Sequence, residues 1–183
     1  MNLILESSIV GFGIYSILLS GRKGAIEHAY PELFKTIDTL ACVIFSIGGI
    51  LFFGEWIYGQ LTLYFVTSAP EEQSSQITEM FGEHSFMYWI EPIVYLFITQ
   101  MMWIQGARNS MVLRFIIGIL TLISFEHLIL WIQQANNENL PADWAMVGWN
   151  GDTVIHWGVC FVTFAFIVLI AYLFKKDPFK KAI

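Results

Sequence analysis

Glu55, His84, Glu91, Glu126, His127, Asp152 and His156 are carboxylates and imidazoles set in, or at the edge of, strongly apolar stretches. The segment "GGILFFGEWIYGQ" shows the pattern, with Glu55 alone among aliphatic and aromatic residues. Each such group costs a few kcal/mol within an apolar layer unless it is paired or hydrated. Histidine and carboxylate together suit copper, iron or zinc, and facing helices of a bundle can present them to one ion. Two histidines suffice for a bis-His haem b, for example His127 with His84 or His156. Intramembrane acids and histidines are also the usual relay groups for protons and cations.

Spacing sorts these residues further. His84 and Glu91 are seven apart and share a helix face. Asp152 and His156 are four apart and can act as one bidentate unit or as a carboxylate–histidine pair. Glu126 and His127 are adjacent and diverge by about 100°, so at most one points squarely into a common centre. Tyr58 lies one turn beyond Glu55 and Trp131 one turn beyond His127, where both can line a pocket. Glu55, Glu91, Glu126, His127 and His156 are therefore the primary candidates for a metal- or proton-binding site. His84, Asp152, Tyr58 and Trp131 are secondary. No Glu-x-x-His pair occurs, so the di-iron bundle signature is missing. "DTVIH", Asp152 to His156, resembles the D-x3-H copper half-motif of the C subunit of the copper membrane monooxygenases. That resemblance implies a copper site on the outer side of a helix bundle. The family's further histidine would fall at position 168, where this chain has Val168.

The elements that must position these groups follow from composition. Of 183 residues, 56% are hydrophobic and 13% charged, against about 45–50% and 25% in a soluble domain. The apolar residues fall in long runs without alternation, which predicts helices and not barrel strands. Spans are expected near 2–20, 37–60, 85–106, 111–133 and 153–174, each close to the ~20 residues a bilayer needs. The fold class is thus all-α: a five-helix polytopic membrane bundle, with residues 1–183 forming a single membrane domain. The second span can extend to Phe65, and Pro92 is expected to kink the third. Cys42 and Cys160 lie inside apolar runs and read as small core residues.

Charge sets the orientation. The first segment has no basic residue ahead of it and carries Glu6, so it reads as a retained helix and not a cleaved signal peptide. With the N-terminus outside, all 9 Lys and Arg residues fall at the cytoplasmic side. The loops "SAPEEQSSQITEMFGEH" and "QANNENLPADWAMVGWNGD" contain none. This positive-inside pattern predicts N-out and C-in. Counting about 1.5 Å per residue puts Glu55 roughly 27 Å above Ile37, and Glu126 and His127 about 23–24 Å above Met111. Glu91 and His156 come out about 9 Å and 5 Å below the outer starts of their helices. Apart from Asp38 near the cytoplasmic boundary, the ionisable groups within spans thus map to the outer third.

One shared outer site explains this more simply than unrelated accidents. The first expectation is a subunit of a membrane redox or metal-dependent complex. The second is a proton- or cation-transfer component, although the inner half offers no matching relay acid. The third is a non-catalytic assembly subunit whose polar groups bond to partner helices. Partners in each case are the lipid bilayer and other membrane subunits or further copies of the chain. A bacterial inner membrane, or an equivalent energy-transducing membrane, is the expected location. The net charge of −6 and the absence of an extended basic patch argue against nucleic acid. No span contains a lysine for a retinal Schiff base, and no potassium-filter, P-loop or GxSxG motif occurs.

Overall fold

The computed structural model describes residues 3–20, 23–62, 85–122 and 151–176. Among these residues every regular element is a helix, and none is a strand. Helix α1 spans Leu3–Ser20, α2 Lys23–Ala29, α3 Pro31–Thr62 and α4 Ser85–Gln100; α5 spans Gln105–Asn109, α6 Met111–Leu122 and α7 Gly151–Lys176. Pro31 opens α3, a position where the missing N–H is not needed and φ is already helical. The Tyr30 N–H donates to Ile26 O and the Phe34 N–H to Tyr30 O, both at 2.9 Å, so α2 leads almost directly into α3. The helix therefore starts well before Ile37, because a helix-start residue and not the apolar run sets its boundary. Between α4 and α6 the chain turns through a 3-10 segment, Met101–Trp103, and two extended residues, Ile104 and Ser110. Ser110 Oγ accepts the Leu113 N–H at 3.3 Å, satisfying one of the donors left open at the start of α6.

α3 and the Thr153–Lys175 stretch of α7 are long and apolar enough to cross a bilayer. Leu3–Leu19, Pro92–Trp103 and Met111–Leu122 are shorter apolar helices. Residues 123–133 of the expected 111–133 span lie outside the described residues.

α1 is the central helix and packs on α3, α6 and α7, while α4 packs on α3. Ser8 faces Gly48 and Tyr15 faces Asp38, so α1 and α3 are antiparallel. Ser46 meets Thr99 and Trp56 meets Trp89, so α4 is antiparallel to α3. Gly13 faces Thr121 while Ile17 reaches Gly118, making α6 antiparallel to α1. Glu6 meets His156 and Phe12 meets Phe164, making α7 parallel to α1. Thus α1, α4 and α7 run one way, and α3 and α6 the other.

The core is an aromatic layer at mid-height of α1. The Phe12 ring stacks on Phe45 with centroids 4.1 Å apart and meets Phe164 edge-on at 6.2 Å. α1 and α6 approach closely where Gly13 meets Gly118: a Cβ added to Gly118 would lie 2.8 Å from the Gly13 carbonyl oxygen. Small residues at such crossings let apolar helices pack backbone to backbone. α3 and α4 are stitched by polar groups. Ser46 Oγ lies within 2.9 Å of Thr99 O, Gln100 Nε2 donates to Ser46 O at 2.9 Å, and Trp103 Nε1 donates to Gln100 Oε1 at 2.8 Å.

The outward faces are apolar as well. Leu18, Leu51, Phe97, Val112, Val162 and Phe174 are all exposed. Helices with apolar residues on outer and inner faces alike suit a surrounding of hydrocarbon or other apolar helices. A cavity of about 320 Å³ between α1, α3 and α7 is walled mainly by aliphatic and aromatic side chains, among them Ile37, Phe164, Val168 and Tyr172.

Candidate functional site

The site is assembled where α1 and α7 run side by side. Gly11 makes the approach possible: a Cβ there would lie 2.9 Å from the Cys160 carbonyl oxygen and collide with Phe164 Cβ. With the two backbones this close, Glu6 in the first turn of α1 comes level with His156 and Cys160. His156 and Cys160 are four apart on α7 and so share one face. His156 Nε2 lies 2.6 Å from Glu6 Oε1 and 3.6 Å from Cys160 Sγ. One ligand atom from each of the three residues lies within 4.8 Å of the others. The cysteine is fully buried, with the buried Ser7 beside its thiol. The side chains of His156 and Glu6 are 43% and 24% exposed. The cluster thus has a closed, sulfur side and an open, nitrogen–oxygen side.

Its geometry distinguishes two kinds of chemistry. A nucleophilic Cys–His–carboxylate relay is a chain, in which one ring nitrogen faces the thiol and the other is held by the carboxylate. Here a single nitrogen, Nε2, faces both thiol and carboxylate. The three groups lie close enough together to be candidate ligands of one ion.

A second polar cluster occupies the other end of α1. Arg114, 1% exposed, projects from the first turn of α6 into the bundle. Its Nη2 donates to Asp38 Oδ1 at 2.6 Å and lies 3.2 Å from Cys42 Sγ. Tyr15 OH donates to the same Asp38 oxygen at 3.0 Å. The guanidinium carbon is 5.8 Å from the ring centroids of both Phe12 and Tyr15, within cation–π range. Its Nε and Nη1 find no hydrogen-bond acceptor among the described residues. Such a pair ties α1, α3 and α6 together at one height.

Of the residues expected to form the site, the structure brings His156 into a cluster. Glu55 is exposed on α3, and Tyr58 is 70% exposed. The physical reason is length. α3 has 32 residues and α1 only 18, and with Ser8 level with Gly48, Glu55 stands past the first turn of α1. Glu91 lies within α4 and Asp152 within α7, but their side chains are outside the described ones. His84, Glu126, His127 and Trp131 lie outside the described residues altogether. Glu6 and Cys160 are not among the residues the sequence nominates, and Cys160 reads there as a small core residue. The i,i+4 spacing of His156 and Cys160 was present in the sequence, but the equal spacing of Asp152 and His156 drew the pairing instead. Arg114 had been counted among the cytoplasmic charges, and its burial against Asp38 has no local sequence signal.

No known protein family matches this chain, and no curated protein or solved structure shows significant similarity to it.

Proposed function

We propose that this chain is a multi-pass membrane protein of five spans, N-terminus outside and C-terminus cytoplasmic, and a subunit of a metal-dependent or redox membrane complex. A bacterial inner membrane or an equivalent energy-transducing membrane is its place. The observation that carries this reading is the grouping of Glu6, His156 and Cys160, with ligand atoms within 4.8 Å of one another, where the start of α1 meets α7. Supporting the topology, the helix directions alternate in chain order through α1, α3, α4, α6 and α7. The ion pair that holds Arg114 is at the opposite end of α1 from the Glu6 cluster, the end where Lys35 and Lys175 also fall. Outer acids and inner cations follow the positive-inside pattern.

The test is purification of the full-length protein without chelators, followed by elemental analysis and a visible spectrum. Bound metal or a haem spectrum, lost in His156→Ala, is expected. Metal-free, colourless protein from cells supplied with copper, iron and zinc would sink the reading.

One observation favours proton or cation transfer as the second reading. α1 bears Glu6 at one end and Tyr15, bonded to Asp38, at the other. About 14 Å of helix separates them, and the Phe12–Phe45–Phe164 layer fills that gap. Transfer along this route requires the aromatic layer to open. Proton flux into liposomes by metal-free protein, lost in Asp38→Asn, would select this reading. Loss of complex assembly alone, with neither metal nor flux, would leave the scaffold role.

A further inference from the structure

Resting on the metal reading, we infer that Glu6, His156 and Cys160 form a zinc(II) site with Cys160 thiolate as a ligand and one coordination position left open on its exposed side. The donor set makes the selection. A thiolate disfavours magnesium, calcium and manganese, which take oxygen ligands. A carboxylate disfavours copper(I), which takes soft sulfur ligands. Haem iron takes one or two axial protein ligands, so haem binding here would leave at least one of the three donors unused. A mixed sulfur, nitrogen and oxygen set is what tetrahedral zinc accepts.

One of the three distances matches that assignment as it stands, and the other two require Glu6 to move. Zinc bonds of about 2.0–2.3 Å in a tetrahedron put neighbouring ligand atoms roughly 3.3–3.7 Å apart. The 3.6 Å between His156 Nε2 and Cys160 Sγ already matches. The 2.6 Å between His156 Nε2 and Glu6 Oε1 is a hydrogen bond, so Glu6 withdraws by about 1 Å to admit the ion. Glu6 can do so because its carboxylate is partly exposed and stands in the first turn of α1. Zinc held by three protein ligands keeps its fourth position for water or a substrate donor. Cys160 is fully buried and His156 is not, so the open position lies on the His156–Glu6 side. That arrangement belongs to zinc sites that act on or hand over a ligand, and not to closed structural ones.

The experiment is titration of metal-stripped, full-length protein in detergent with Co²⁺, a spectroscopic stand-in for zinc, followed by competition with Zn²⁺. The expected result is tetrahedral d–d absorption together with a near-ultraviolet thiolate-to-cobalt band, both removed by zinc. Cys160→Ser loses the thiolate band and weakens zinc binding about tenfold or more. Cys42→Ser, at the other end of the bundle, keeps the band. Cobalt absorption in the unaltered protein without a thiolate band would overturn the inference while leaving the metal reading in place. Preferential copper(I) uptake that zinc cannot reverse would do the same. Failure of the unaltered protein to take up cobalt, zinc or copper would end both. Because the spectrum of the unaltered chain decides, poor folding of a variant does not blunt the test.

Discussion

Removing either partner of the Asp38–Arg114 pair leaves the other charge buried without its counter-ion. Asp38→Leu and Arg114→Leu are each expected to destabilise the protein by about 3–5 kcal/mol. The double change, Asp38→Leu with Arg114→Leu, should cost much less than the sum, because neither charge then remains. Thermal unfolding of the four proteins in one detergent measures this, and simple additivity would show that the pair is not coupled. Tyr15→Phe removes a single hydrogen bond to Asp38 and should cost about 1–2 kcal/mol. These residues also show why the polar clusters were only partly legible in the sequence. Asp38 and Arg114 are 76 positions apart, and Glu6 and His156 are 150 apart. Near the end of an apolar run, a charge reads as a group at the membrane surface. Only the packing of helices brings it inside.

Between helices the decisive residues are the smallest. Gly13→Leu would thrust a side chain onto Thr121 and the Gly118 carbonyl, and overpacking of this kind costs about 1–3 kcal/mol or more. Gly158 stands in α7 with nothing near its would-be Cβ, so Gly158→Ala should be neutral or stabilising by up to about 1 kcal/mol through helix propensity. Size-exclusion profiles after graded heating separate the two cases. Equal behaviour of both variants would refute close packing of α1 on α6. At this scale the sequence was more informative, because long unbroken apolar runs without alternation leave the backbone no choice but helix. The helix begins at Pro31 and the expected span at Ile37, because a proline at the first position starts a helix while hydropathy marks where it would meet lipid. The exposure of Glu55 followed from the unequal lengths of neighbouring helices, which no single-helix count contains.

For the molecule as a whole, the proposed topology makes a direct prediction. An alkaline phosphatase fused within the acidic segment 66–84 should be active, and one fused at the C-terminus inactive. A fluorescent protein at the C-terminus should fold and fluoresce. The reverse pattern would overturn the orientation. The proposed orientation rests on the sign of charge along the chain, which is read without any knowledge of packing. Convergence of side chains is a property of three dimensions and was not readable. The parallel pairing of α1 with α7 also has a consequence for biogenesis. At a synthesis rate of about 5–20 residues per second, Glu6 leaves the ribosome roughly 8–30 s before its partner on α7 exists. In the proposed five-span topology, the first helix therefore waits in the bilayer with its acid unmatched until α7 is made. Completion of the Glu6–His156–Cys160 cluster then marks the moment at which α7 has arrived. A nascent chain arrested before α7 would expose an unpaired intramembrane acid, the kind of lesion that membrane quality control can recognise.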